Sequence, residues 1–381
     1  MTIKNNVSFN NKVFFYLFSV LIFLSSFKAK NAKEEALTYS IPAPLEVLSN
    51  LSNYFIVFIL LVLNIKLLSY RAKISRPLVL LFIFELVLIL TEFYIDGDLN
   101  SLIINLGFTI LIVVFFSRAH FVFQENVEKY SFFNSIFFGS FCFIFLNAIV
   151  VILGLGNVIW NGRLFGLTSH PNFIGLYAAI FASFTFYKLY NQCNKLKNIL
   201  FYTISLILGI YIVVITGSRT ALLFALLAIS SNVFFSLKRY DSKIMVLLLS
   251  SIFVLLFFGY LSIDDLDYTG RSNTRVNAWS NLLKQIEETG LFGIGRGRGY
   301  TANSYFYAVV ANGFLGSTLL FLVIIDDVKN LLYTQVYNIF YTSILIPMLI
   351  CAFLEGFLLD TISLPILVFW SLQTGLLKVK V

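Results

Sequence analysis

Residues 199–236 read ILFYTISLILGIYIVVITGSRTALLFALLAISSNVFFS. Two apolar runs, 199–216 and 220–236, flank the turn Thr216-Gly217-Ser218-Arg219-Thr220, and Arg219 is the single charged side chain of the stretch. A bilayer core takes about 20 apolar residues per helix, with about 17 as the lower bound. Both runs reach that bound. The stretch therefore reads as two membrane-spanning helices joined by a turn at the membrane edge.

The rest of the 381-residue chain has the same character: 59% of residues are apolar and 12% are charged, with a mean hydropathy of +0.88. A soluble domain averages about 45–50% apolar and about 25% charged. A soluble enzyme, a disordered chain and a disulfide scaffold are all excluded by that margin. Hydropathy predicts about twelve transmembrane helices, near 13–27, 54–70, 77–95, 101–117, 132–154, 173–190, 199–216, 220–236, 244–262, 304–325, 331–353 and 361–377. The expected fold is all-α, a polytopic integral membrane protein forming one domain over 1–381. Residues 28–53 form a polar outer loop, and 263–303 form a large extracytoplasmic one. Span one is short and follows Lys4 and Lys12, the pattern of a signal sequence. Lys28 and Lys30 stand where cleavage wants small residues, so an uncleaved anchor is expected.

The formal charge is +8, from 27 basic and 19 acidic residues. The basic residues fall in short loops, which is an orientation signal rather than a nucleic-acid surface. Lys and Arg gather on alternate loops, notably Arg71–Arg76, Lys195–Lys197 and Lys238–Lys243, which places both termini in the cytoplasm. Cys142 and Cys351 lie in apolar runs and Cys193 in a cytoplasmic loop, so no disulfide is indicated. His120 and His170 are the two histidines, too few for a His-rich metal centre. Asp264, Asp265 and Asp267 read as a solvated acidic loop; no metal and no cofactor are expected.

Arginine and lysine are distributed differently. From residue 155 to 303 the expected outer loops hold six Arg (163, 219, 271, 275, 296 and 298) and one Lys, Lys284. Topology needs positive charge of either kind. Arg is preferred where a planar donor fork grips phosphate or carboxylate at two points. The outer face therefore reads as built to hold an anion. Arg219 lies nearest membrane depth, where charge is costly and faces protein or water. Ser218 can cap the following helix, whose free N–H groups favour an anion. The plainer alternative is an interfacial arginine that snorkels to the headgroups.

Arg163, Gly166, His170, Pro171 and Asn172 open span six from the outer side, with Pro171 suited to a first helical turn. In the long loop, Val276, Trp279, Leu282, Leu283 and Ile286 recur at helical spacing and predict a short amphipathic helix, with Arg275 in its first turn. Gly293, Gly295, Gly297 and Gly299 follow, interleaved with Arg296 and Arg298; such backbone can approach a phosphate closely. Glu85 lies inside span three, where a carboxylate either serves function or bonds a neighbouring helix.

These pieces, in this order, resemble the O-antigen ligase and Wzy-type polysaccharide polymerase superfamily over roughly residues 155–320. The matching elements are Arg163-x-x-Gly166 with Pro171-Asn172, the Ser218-Arg219 turn, Arg275-x-x-x-Trp279, Gly293-x-Gly295, Asn303, and Gly313-Phe314-Leu315-Gly316. Where ligases of the superfamily carry a histidine just before the residue aligned to Asn303, this chain has Ala302, which favours a polymerase. Leu291 and Phe292 stand where a proline usually precedes Gly293.

The resemblance implies a GT-C-like membrane glycosyltransferase at the outer face of the bacterial plasma membrane. Its donor would be a glycan on undecaprenyl pyrophosphate and its acceptor another lipid-linked repeat. Membrane lipid and a chain-length regulator would be its partners, without nucleic acid. Arg219, Arg275, Asn303 and His170 are the candidate catalytic residues. Arg163, Asn172, Ser218, Arg271, Trp279, Arg296 and Arg298 are the candidate substrate-binding residues. Base candidates for the acceptor hydroxyl are Asp264, Asp265, Asp267, Glu287 and His170, which sequence does not rank. Ligation to a different acceptor, or a flippase for lipid-linked sugars, are the alternatives. The lack of an internal repeat and the one-sided placement of the polar residues speak against a transporter.

Overall fold

The computed structural model describes residues 2–27, 39–124, 131–160, 162–168, 170–192, 195–237, 274–296, 302–333, 339–360 and 362–377. Twelve helices carry them: α1 (Thr2–Ser25), α2 (Ala43–Leu67), α3 (Arg76–Asp96), α4 (Leu99–Gln124), α5 (Phe132–Ile152), α6 (Pro171–Gln192), α7 (Leu196–Ile215), α8 (Arg219–Ser236), α9 (Thr274–Glu288), α10 (Ser304–Tyr333), α11 (Ile339–Cys351) and α12 (Leu364–Gln373). One two-stranded hairpin, β1 (Ile159–Trp160) with β2 (Arg163–Leu164), precedes α6.

Three helices begin where the chain supplies a side-chain cap. Ser75, Ser131 and Ser218 each accept a bond from a backbone N–H in the first turn of α3, α5 and α8, satisfying donors that a helix start leaves open. Among the described residues, eight helices are long and apolar enough to cross a membrane, and three shorter apolar helices accompany them. The all-α polytopic expectation holds. The expected span 244–262 and its flanking acidic residues lie outside the described residues.

Three expected boundaries shift. Residues 43–53, read as loop, are the first turns of α2. Pro44 and Glu46 favour a helix start there, so the polar Ser-Asn-Leu-Ser-Asn band of 49–53 is helical. Among the described residues, the expected spans 331–353 and 361–377 are represented by the short helices α11 and α12. At about 1.5 Å per residue these reach roughly 20 and 15 Å, below a bilayer's thickness. Pro347 lies within α11. Buried Asp327 of α10 ties the two short helices together, accepting from Tyr341 Oη at 3.1 Å and Gln373 Nε2 at 2.6 Å. Finally, α10 is broken at Gly313 (φ 65°, ψ −171°).

Helix α6 is the centre of the bundle, with most of its apolar window buried; it packs against α5, α7, α8, α11 and α12. Helix α7 presents Leu200, Ile204, Ile207 and Tyr211 outward, a stripe suited to lipid.

Contacts between connections sort by expected side. Tyr39 Oη donates to Gly166 O (2.7 Å), and Ser40 pairs with Asn157. Arg296 reaches Glu92 and Leu359, and Ser304 reaches Ala352; all are segments expected outside. At the other end, Lys73 N donates to Ser117 O (2.7 Å), Arg76 pairs with Asp326 (3.3 Å), and Asn191 bonds Asn232 (3.2 Å); all are expected inside. Among the described residues, the contacts between connections thus follow the alternation read from hydropathy.

Candidate functional site

At the expected outer end, four chain segments converge. The first is the hairpin and the turn into α6. β2 holds Arg163, whose Nε donates to Thr216 O at 2.8 Å. Its Nη2 lies 3.3 Å from Gly217 O and 3.2 Å from Asn172 Oδ1. Thr216 and Gly217 follow the end of α7, where carbonyls lack helical partners. Arg163 supplies the missing donors and fixes the turn into α8.

That turn is the second segment. Ser218 Oγ accepts from Ala221 N (3.3 Å), the cap read from the sequence. Arg219 is the first residue of α8 and half-buried. The turn lies so close to α6 that a Cβ on Gly175 would crowd Ala221, Thr216 and Ser218. Small residues allow this kind of backbone approach in membrane bundles.

The third segment is the start of α10. Asn303 is buried, and its Oδ1 accepts from Tyr305 N (2.9 Å) and Phe306 N (3.1 Å), an N-cap. Ser304 Oγ donates to Glu355 O at 2.6 Å.

The fourth is the loop after α11, which brings Glu355. Its Oε1 accepts from Asn172 Nδ2 at 2.9 Å and from Thr220 Oγ1 at 3.0 Å. Sequence reasoning did not select Glu355, Thr220 or Ser304. The signal available for Glu355 was its position in a short outer connection between two apolar runs, beyond the stretch that carries the family motifs.

His170 completes the rim. Its surface reaches solvent, yet Phe165 and Phe173 crowd the ring, with centroids 6.4 and 5.6 Å away. Burial by these neighbours, with the Arg163 charge second, pushes its pKa down to about 4. The imidazole is therefore neutral at neutral pH. Nδ1 accepts from Asn172 N at 3.2 Å, so the ring caps the first turn of α6.

The remaining expected residues are placed as follows. Trp279 Nε1 donates to Ala302 O (3.3 Å), and its ring meets Phe306 edge-on at 6.3 Å. This docks the amphipathic α9 against the start of α10, with Leu282 fully buried. Arg275 lies in the first turn of α9; its side chain, and all of Arg271 and Arg298, lie outside the described residues. Arg296 stands apart from the cluster: Nε and Nη2 bond both oxygens of Glu92 (2.7 and 3.0 Å), and Nη1 lies 3.9 Å from Glu85 Oε2. The glycine run approaches α10 backbone. Ile294 N and Gly295 N donate to Val310 O and Ala311 O (2.8 and 3.0 Å), carbonyls just before the break at Gly313.

A helical bundle of this kind, with a polar site at one end, is a polytopic membrane protein. Residues 204–321 match the family profile described as O-antigen ligase, and the O-antigen ligase and Wzy resemblance holds over that stretch. It spans the Ser218–Arg219 turn, α9, the glycine run and the start of α10. No curated protein matches the chain.

Proposed function

We propose that this chain is a polysaccharide repeat-unit polymerase of the bacterial plasma membrane. It transfers an oligosaccharide from undecaprenyl pyrophosphate to a sugar hydroxyl of a second lipid-linked repeat at the outer face. The observation that carries this reading is the convergence of Arg163, Asn172, the Ser218–Arg219 turn, Ser304 and Glu355 at one end of the bundle. Both termini are cytoplasmic in this reading.

In the transfer, the bond from the anomeric carbon to the pyrophosphate oxygen breaks, and a bond to the acceptor oxygen forms. The electron pair leaves with the pyrophosphate. Preorganised donors at a developing charge are commonly the largest catalytic contribution. Arg219 meets that charge beside the open N–H groups of α8, and the resemblance assigns Arg275, with Arg271 in support, to the same pyrophosphate. The acceptor proton passes to a carboxylate. Glu355 is the candidate that the cluster itself contains, and His170 is engaged with its own turn. A neutral donor pair on one oxygen of Glu355 orients the carboxylate for this task. Ala302, in place of the ligase histidine, favours chain extension over ligation to a different acceptor.

The test is reconstitution with purified lipid-linked repeats. Wild-type protein makes long chains. Arg219→Ala and Arg275→Ala each lower the rate by about 10²–10³ while remaining in the membrane. Normal chain length in both variants overturns the assignment, and flipping without elongation would make the protein a transporter.

A further inference from the structure

A hollow at the same expected end of the bundle is separate from the cluster. Between the ends of α1, α2 and α4 runs a groove of about 470 Å³, within the roughly 300–1,000 Å³ typical of small-molecule sites. Its polar lining is Ser25, Ser49, Asn50, Ser52, Asn53 and Asn105, and among the described residues no charged side chain lines it. Phe27 and Phe108 lie on its apolar wall, and Ile362, from the connection between α11 and α12, also lines it. Asn105 is shared with an adjoining hollow of about 280 Å³ that Glu92, Asp96 and Asp98 border. Glu92 in turn holds Arg296. Polar residues thus run from α2 through Asn105 of α4 to Glu92 and its partner Arg296.

We propose that this groove binds uncharged sugar residues of the glycan, as a subsite for the acceptor or the growing chain. This rests on the polymerase reading given above. The chemistry selects the ligand. An asparagine amide offers donors and an acceptor together, the pattern that vicinal hydroxyls answer. Ser52 Oγ donates to Ser49 O (2.7 Å) and Ser25 Oγ to Ile22 O (2.9 Å), so both hydroxyl oxygens act as acceptors. Asn50 and Asn53 are exposed on α2, and Asn105 Nδ2 donates to Ser101 Oγ at 3.2 Å, leaving its carbonyl oxygen to accept. A phosphate finds no cation among the described residues of this lining. An acyl chain would strand the amides against hydrocarbon, which is costly. The adjoining acidic residues accept further hydroxyls towards Arg296.

The experiment uses the full chain in lipid nanodiscs, with oligosaccharides of one to four repeats released from the producing strain's own polysaccharide. Titration calorimetry should show saturable binding. Asn53→Leu with Asn105→Leu should weaken it about tenfold, as expected for two lost hydrogen bonds, and should shorten the polymer, with undecaprenyl pyrophosphate binding unchanged. Asn50→Leu with Asn53→Leu changes only exposed positions and serves where the first pair disturbs packing. Equal oligosaccharide affinity in both variants overturns the groove, as does a phospholipid retained by wild type and lost from the variants. Arg219→Ala in the same assays separates the two readings. Intact oligosaccharide binding with full-length polymer would reject the polymerase site and keep the groove. Lost polymer, with binding indifferent to the asparagines, would do the reverse.

Discussion

Asn172 Nδ2 donates to Glu355 Oε1 at 2.9 Å, joining two residues 183 positions apart. The bond ties the first turn of α6 to the loop after α11, and Thr220 Oγ1 brings α8 to the same oxygen. The carboxylate thus sits where three outer connections meet, one residue of which follows Arg219. Glu355→Gln keeps the shape and removes the proton acceptor. It should lower the transfer rate by about 10²–10⁴, the usual contribution of acid–base catalysis, with little change in thermal midpoint. Glu355→Ala should lower both, because Asn172 and Thr220 lose their acceptor. Chain-length profiles and thermal unfolding in detergent measure the two effects separately.

Most of the fold was legible in the sequence. Runs such as 199–216 and 220–236 are decided by length and hydropathy alone, and Ser218 announces its cap. α9 was equally readable, because Trp279, Leu282 and Ile286 recur at helical spacing over a polar background. The boundaries of α2, α11 and α12 were not. Hydropathy cannot see that Pro44 starts a helix through the polar band of 49–53, or that α10 runs on to Tyr333. Within the site, the Arg-rich face was readable as chemistry, but each arginine's partner was not. Arg163 satisfies carbonyls at the end of α7, and Arg296 answers Glu92 from α3; both depend on tertiary proximity that no local pattern encodes. Glu355 escaped for the same reason. An isolated acid in a short loop acquires meaning only when Asn172 and Thr220 arrive beside it.

Arg296 and Glu92 give a second test. Their side chains are 15% and 16% exposed, and Nε and Nη2 of the guanidinium each bond one oxygen of the carboxylate. Removing one partner of a buried pair commonly costs about 3–5 kcal/mol, because the other charge is left uncompensated. Arg296→Met should therefore lower the thermal midpoint sharply. The double variant Arg296→Met with Glu92→Leu should recover much of that loss. A double-mutant cycle reads the coupling, and additive effects would mean that the pair does not hold the loop to α3.

The imidazole of His170 gives a pH test. Crowding, and secondarily Arg163, lower its pKa in the folded protein from 6.5 to about 4. Between those values the unfolded chain takes up a proton that the folded chain refuses, so stability falls as pH is lowered through this window. Above about 6.5 the group contributes no slope. Protonation also turns Nδ1 from acceptor to donor against Asn172 N–H. His170→Asn retains an acceptor without the titration. Its thermal midpoint should decline less between pH 7 and 4.5 than that of wild type, and identical slopes would remove His170 as the cause.

The last test concerns the break in α10. Gly313 has φ 65° and ψ −171°, a region of backbone space essentially confined to glycine. The break lets the chain before it run alongside: Leu315 N donates to Leu291 O at 3.2 Å, and Ile294 N to Val310 O at 2.8 Å. Gly293 lies at the closest approach, where an added Cβ would overlap the backbone of Ala311. Relief requires the loop to withdraw from α10, and with it Arg296 from Glu92. Backbone strain of this kind costs about 1–3 kcal/mol per site, and a clash with main chain adds to it. Gly293→Ala and Gly313→Ala should each lower the thermal midpoint by several degrees and shorten the polymer. Gly290 has open space around it, so Gly290→Ala should do neither. Equal behaviour of all three variants would show that the loop does not rest on the broken helix.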